Sequence, residues 1–283
     1  MSDTVRRLCV LLFAVLIAAP AAAQAQAGTA PLLVSTAWLE EHLQDPNVVI
    51  LWTDQGAHDE ALIAGARSVP HESMMTMQGG HGLAPTDTLV DVLRKAGVSN
   101  SSQVVVYGEP LSAAWLFFVL DYLGHDKVSM LDASITKWRS ENRPIARTPL
   151  VPPPGTFTPS PRPQLRATAD DVQKGMAARS AVILDARSPR EYEAGHIPGA
   201  RLLTFQDVFA DPRMQTFKSR DELVAMFRAA GAAPGATVIT YCQIGLRSSL
   251  LWFGAKVAGL EARNYVGSWS DWTSRNLPVE PAR

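Results

Sequence analysis

Cys242 is placed by its neighbours on both sides to act as a nucleophile. The apolar, β-branched run Ala236 to Thr240 leads into Tyr241-Cys242-Gln243-Ile244-Gly245-Leu246-Arg247-Ser248-Ser249, and the apolar stretch Leu250 to Val257 follows. This change of pattern predicts a strand ending at the cysteine, a short turn and a helix. Such a turn aims backbone N–H groups and a helix N-terminus at the sulfur, and both stabilise a thiolate and any anion beside it. Gly245 permits the tight turn and a close approach of backbone to ligand. Arg247 can donate several hydrogen bonds to an oxyanion above the sulfur. Ser248 and Ser249 can cap the helix or donate to the loop. A buried structural thiol is the alternative for Cys242; the glycine and arginine beside it suit an anion cradle better.

A second constellation lies upstream: Leu184-Asp185-Ala186-Arg187, then Glu191-Tyr192-Glu193-Ala194-Gly195-His196-Ile197-Pro198-Gly199-Ala200-Arg201. Asp185 and Arg187 follow the apolar run Ala181 to Leu184, so they too belong at a strand's carboxyl end, where open α/β sheets bind ligands. Arg187 is the candidate second anion-binding cation, with a salt bridge to Asp185 or Glu191 as its structural alternative. His196 invites a general-base role. A His-Ile-Pro-Gly turn fixing a loop through hydrogen bonds is the preferred reading, with Tyr192 and Glu191 as scaffold.

The elements that must position these groups can be read from the rest of the chain. Its 283 residues, 47% hydrophobic, leave room for one large or two ordinary domains. A formal net charge of −1 gives no sign of nucleic-acid or anionic-membrane binding, so any anion selectivity is local. Residues 1–25 read as an export signal: Arg6 and Arg7, an apolar stretch from Leu8 to Ala19 too short for a comfortable membrane span, then A-x-A cleavage sites at Ala21–Ala23 and Ala23–Ala25. Cleavage removes Cys9 and leaves Cys242 as the single cysteine of an exported, periplasmic protein, with no internal disulfide available.

The proline-rich segment 149–163 divides the mature chain into halves, 31–148 and 164–283, and reads as a semi-rigid extended linker. The halves look alike. Val48-Val49-Ile50-Leu51 matches Ala181-Val182-Ile183-Leu184, and Ile63-Ala64-Gly65-Ala66-Arg67 matches Ile197-Pro198-Gly199-Ala200-Arg201. Val104 to Gly108 matches Val238 to Cys242, and Trp138 to Ile145 matches Trp272 to Val279. Between them lie stretches with helical spacing: Thr36 to Leu43, Thr88 to Ala96, Thr168 to Ala177 and Ser219 to Ala230. Thr168 with Asp171 and Ser219 with Glu222 fit a capping signal. Short buried strands alternating with helices predict, in each half, a small parallel sheet flanked by helices.

These motifs resemble the rhodanese family in its tandem-domain arrangement. Tyr192 through Leu203 is similar to the family's aromatic-x-x-x-His-Ile-Pro-Gly-Ala signature. Ala262 to Trp272 is similar to its C-terminal signature, departing at Val266 and Asp271 while keeping the Gly-Ser-Trp-x-x-Trp core. The resemblance implies a silent N-terminal domain and a catalytic C-terminal one. The residues agree: Gly108 stands in place of Cys242, Trp52-Thr53-Asp54 in place of Asp185-Ala186-Arg187, and Leu62 in place of His196. It further implies that the Cys242 thiolate takes the outer sulfur of a small anionic donor such as thiosulfate. Arg187, Arg247 and the loop from Gln243 to Leu246 hold the anion, while Asp185, Glu191, His196 and Ser248 give support. Cyanide or a thiol then accepts the sulfur from the Cys242 persulfide. No metal or organic cofactor is implied. Mercaptopyruvate is the alternative donor, since those enzymes share the tandem fold; their usual loop is Cys-Gly-Ser-Gly-Val, against Cys-Gln-Ile-Gly-Leu-Arg here. A persulfide carrier serving a protein acceptor is another reading. Related cysteine phosphatases place five residues between Cys and Arg, and the four here make a smaller cradle.

Overall fold

The computed structural model describes residues 30–53, 61–76, 82–232 and 235–281. The expected export signal with Cys9, and Asp54, lie outside the described residues. Five parallel strands form the first sheet: β1 (Leu33–Val34), β2 (Val48–Thr53), β3 (Arg67–Ser68), β4 (Gln103–Gly108) and β5 (Val128–Leu131), in the order β1-β5-β4-β2-β3. Four more form the second: β6 (Ala181–Asp185), β7 (Arg201–Leu202), β8 (Thr237–Tyr241) and β9 (Ala262–Asn264), in the order β7-β6-β8-β9, again all parallel. The central strands are apolar runs because helices cover both faces of each sheet.

The helices are α1 (Thr36–Glu41), α2 (Thr86–Lys95), α3 (Pro110–Tyr122) and α4 (Ile135–Ser140) in the first half. In the second they are α5 (Ala169–Ala177), α6 (Pro189–Ala194), α7 (Arg220–Ala229), α8 (Leu246–Val257) and α9 (Ser268–Ser274). Thr168 and Ser219 each close a capping box with Asp171 and Glu222. The helix expected from Thr88 begins earlier, at Thr86, after Pro85. Among the described residues, no helix is long and apolar enough to cross a membrane.

The duplication extends to single hydrogen bonds. Ile63 N donates to Tyr107 Oη at 2.9 Å, and Ile197 N donates to Tyr241 Oη at 3.2 Å. Trp138 Nε1 donates to Pro144 O, and Trp272 Nε1 to Pro278 O. The helices that follow the two matched strand ends, α3 and α8, pack on each other and join the halves through one continuous core. Phe117 meets Phe253 edge-on at 4.7 Å, and Phe118 meets Trp252 at 4.9 Å. Such pairs contribute about 0.5–1.5 kcal/mol each beyond their buried area. This explains why every residue of α3 from Ser112 to Asp121 is buried. Lys256 adds a 2.7 Å ion pair to the almost buried Asp121 across the joint.

The 149–163 segment runs along the protein rather than standing free of it. It is strapped to the first half: Gly155 N donates to Arg94 O, Arg94 Nε to Phe157 O, and Ser160 N to Leu123 O. Phe157 is fully buried. A Cβ on Gly155 would lie 2.0 Å from Val98 O, so the strap fits only without a side chain there.

Candidate active site

Cys242 follows β8 directly and lies wholly inside the protein. Its backbone is tied on both sides: Cys242 N donates to Ser268 Oγ at 3.1 Å, and Trp269 N donates to Cys242 O at 3.0 Å. Gly245 N points at the sulfur, 3.1 Å from Sγ. Gly245 is the N-cap of α8 with φ +91°, in the left-handed region that favours glycine. The turn therefore closes on the sulfur, and the first turn of α8 brings N–H groups that have no partner within the helix. Helix end and loop together make an anion cradle over Cys242.

Arg247 lies at the cradle's rim. Its Nη1 and Nη2 each donate to one oxygen of Glu191, both at 2.7 Å. The guanidinium pKa is raised, chiefly by these Glu191 hydrogen bonds working against desolvation, with the charge of the neighbouring Cys242 sulfur adding to it. Glu191 also closes the capping box of α6 by accepting from Ser188 N and Oγ. The Arg247 hydrogen bonds, with those from Ser188, hold the Glu191 carboxyl at about 2, below its ordinary 4.5. A folded-state pKa below the unfolded value means that the pair stabilises the fold fully above pH 4.5 and that this contribution is lost as pH falls through about 2. Glu191→Gln is expected to lower stability by about 1 kcal/mol at neutral pH, a figure reduced for the carboxylate's one-third exposure. The difference from wild type should vanish near pH 2. Denaturant melts across pH 2–7 check it; a gap independent of pH would assign the loss to packing.

Arg187 is enclosed by the fold. It is 2% exposed, and Nε and Nη2 are committed to Asp185, with Nη2 also donating to Gly195 O at 2.7 Å. The Trp269 ring covers it at 4.4 Å. Asp185 is the hub of this buried knot, since its Oδ2 also accepts from Tyr241 Oη at 2.5 Å. Through these bonds Arg187, Asp185 and Tyr241 tie the ends of β6 and β8 to the Gly195 turn.

His196 stacks on Tyr192 with ring centroids 3.8 Å apart, and its Nδ1 lies 3.0 Å from Tyr192 O. Its backbone forms a two-way bridge to Glu280. The ring thus lies in the turn's own framework. Gln243 and Ile244 are half-buried, and Leu246 enters the core as the first residue of α8. Ser248 does not cap α8. It sits in the first turn, with Oγ 2.9 Å from Gly245 O and 2.7 Å from Asn264 Oδ1, and ties loop to β9. Ser268 and Asn264 also support the loop, a role with no local signature because it depends on groups distant in sequence; the Gly-Ser-Trp motif carries the available signal.

The matched place in the first half leaves no room for a cysteine side chain. Gly108 has φ +140°, and a Cβ there would lie 1.9 Å from Thr53 O. Gly108→Cys in a Cys242→Ala background is expected to carry no sulfur and to melt lower than its parent, by intact mass and thermal unfolding. Sulfur loading at position 108 would refute this.

Both halves match the family described as Rhodanese-like domain, over residues 35–141 and 168–275. The chain is 30% identical over 267 residues to the sulfur carrier protein TtuD of Thermus thermophilus, covering 85% of this chain and 93% of that one. It is 28% identical over 266 residues to a thiosulfate sulfurtransferase of Azotobacter vinelandii, covering 88% and 97%. The fold superposes with a TM-score of 0.75 on SseA from Escherichia coli, described as a 3-mercaptopyruvate sulfotransferase. That match is 24% identical and covers 84% of this chain and 98% of the other.

Proposed function

Because the chain belongs to the rhodanese family and is by that membership a rhodanese-type sulfurtransferase, we propose that it moves a sulfane sulfur from thiosulfate to cyanide or a thiol through a persulfide on Cys242. The observation that carries this reading is the Cys242 sulfur held at a strand end, 3.1 Å from the Gly245 N–H and beside Arg247. The thiolate attacks the outer sulfur of thiosulfate. A new S–S bond forms, the S–S bond of thiosulfate breaks, and sulfite leaves with the electron pair. Cradle N–H groups and Arg247 stabilise negative charge in both half-reactions. The acceptor then removes the outer sulfur and regenerates the thiolate, which gives ping-pong kinetics.

Thiosulfate is preferred to mercaptopyruvate because the loop reads Cys-Gln-Ile-Gly-Leu-Arg and the Arg187 to His196 segment is short. The named activity of the Azotobacter relative points the same way. The Thermus relative's name supports a carrier role as the second reading. Export of the mature protein to a periplasm belongs to the same proposal, on the basic, apolar and A-x-A pattern of residues 1–25.

Incubation with thiosulfate followed by intact-mass measurement tests it. Wild type should gain one sulfur atom, lost on adding cyanide, and Cys242→Ala should gain none. Loading by mercaptopyruvate alone would replace the donor, and loading by neither would overturn the proposal.

A further inference from the structure

Arg187 and Arg247, the arginines that follow the strand ends of the second half, are each matched by a carboxylate of their own chain. Arg187 holds Asp185 at 2.7 Å, and Arg247 holds Glu191 at 2.7 Å. Together the two pairs carry no net charge. An anion entering the cradle therefore meets backbone N–H groups and a helix end, but no surplus charge from these pairs. A donor that needs a guanidinium has to compete for one. The pairs differ in how far they allow this. Arg187 and Asp185 are sealed at 2% and 0% exposure, whereas Arg247 and Glu191 keep 22% and 34%. Competition is thus open at the rim pair and closed at the buried one.

Glu191 occupies one N–H on each Nη of Arg247 and leaves the other guanidinium N–H groups for a second partner. The Cys242 sulfur is near enough for its charge to act on the same guanidinium. Arg247 is thus shared between a resident carboxylate and the reacting sulfur. Glu191 is also held in place from behind. Its Oε2 accepts from Ser188 N at 3.1 Å and from Ser188 Oγ at 2.7 Å, which closes the capping box of α6. Those bonds keep the negative charge at the rim when another anion approaches Arg247. A fixed negative charge there repels an incoming anion in proportion to that anion's charge.

We propose that Glu191 is a donor-specificity residue: a resident anion that competes for Arg247 and penalises sulfur donors according to their negative charge. The proposal rests on the persulfide reading, which makes the cradle the donor's place, and deepens it by naming what sets donor preference. Across a partly exposed pair the penalty is about threefold per unit charge, hence about tenfold for a dianion. Thiosulfate binds against the full penalty, and a monoanion such as mercaptopyruvate against the smaller one.

The test compares alkylation of Cys242 by iodoacetate, an anion, with that by iodoacetamide, its neutral counterpart. Each forms an Sγ–C bond and expels iodide. Both need the same thiolate and the same access to the buried sulfur, so these cancel in the ratio of rates, read by mass on the Cys242 peptide. Glu191→Gln should raise the iodoacetate-to-iodoacetamide ratio about threefold. Glu191→Asp should leave it at the wild-type value, because it keeps the charge and, as Asp171 does for α5, can close the capping box. A purely structural Glu191 gives a different pattern: Arg247 comes loose, and the ratio falls in both variants. Sulfate, an unreactive dianion, should bind Glu191→Gln about tenfold more tightly than wild type, or about 1.4 kcal/mol, by calorimetric titration. A ratio that stays level or falls in Glu191→Gln, or an unchanged sulfate affinity, would overturn the proposal. Alkylation by neither reagent would overturn it together with the persulfide reading. Neither measurement needs sulfur transfer. The expected ratios in a protein that thiosulfate fails to load would count against the persulfide reading alone, and loading with an unshifted ratio against Glu191 alone.

Discussion

Replacing Cys242 by alanine should lower sulfur transfer from thiosulfate to cyanide by roughly 10⁴-fold or more while leaving the fold standing. The full sequence holds two cysteines; the other, Cys9, lies in the proposed export signal, whose removal would leave no second thiol to carry the sulfur. Alanine keeps the buried Cβ and removes only Sγ, leaving the Gly245 N–H without its 3.1 Å partner. That lost contact and the small void cost about 1–2 kcal/mol of stability. Cys242→Ser separates the two effects. Its oxygen can again accept from Gly245 N–H, which should recover much of the stability, yet a hydroxyl is a poor nucleophile toward sulfur and activity should stay lost. Steady-state cyanolysis and thermal melts read both quantities. Activity within tenfold of wild type in the serine protein would place the nucleophile elsewhere.

The second large effect is expected at Gly245. Valine there must adopt φ near +91°, and its Cβ would lie 2.5 Å from Val266 O. That oxygen belongs to the backbone of the segment after β9 and cannot rotate aside. The left-handed conformation costs about 1–2 kcal/mol, and the overlap raises the total to about 3 kcal/mol or more unless the loop shifts. A shifted loop carries its N–H away from the sulfur, and misplacement by about 1 Å is enough to reduce kcat about 10²-fold. Gly245→Ala should show the same two losses in smaller measure, because alanine is not branched. Equilibrium unfolding alongside kcat checks this. A valine variant with wild-type kcat would mean that the turn does not set the cradle.

Strand and helix positions were legible because the signals are local. The apolar run before Cys242, the glycine in the turn and the acids three residues past Thr168 and Ser219 each specify their element without distant partners. Duplication was legible because four motifs recur in the same order. The fate of the cations was not. Arg187 and Arg247 both follow strand ends and look alike on paper, yet one is enclosed by Asp185, Gly195 and Trp269 while the other stays at the rim with Glu191. Which of them is enclosed depends on where α6 and the segment after β9 cross the site, and no local pattern encodes that.

The linker gives the same lesson. Its prolines favour an extended backbone. Docking came from Phe157, Gly155 and the carbonyls they meet, partners tens of residues away. The sequence alone determined the family and the turn that aims backbone N–H groups at the Cys242 sulfur, because each rests on residue type or short-range spacing. Only the tertiary structure decided which arginine stays near solvent and how Ser268 and Asn264 brace the loop. Those outcomes depend on volume and charge that packing brings together from parts of the second half distant in sequence.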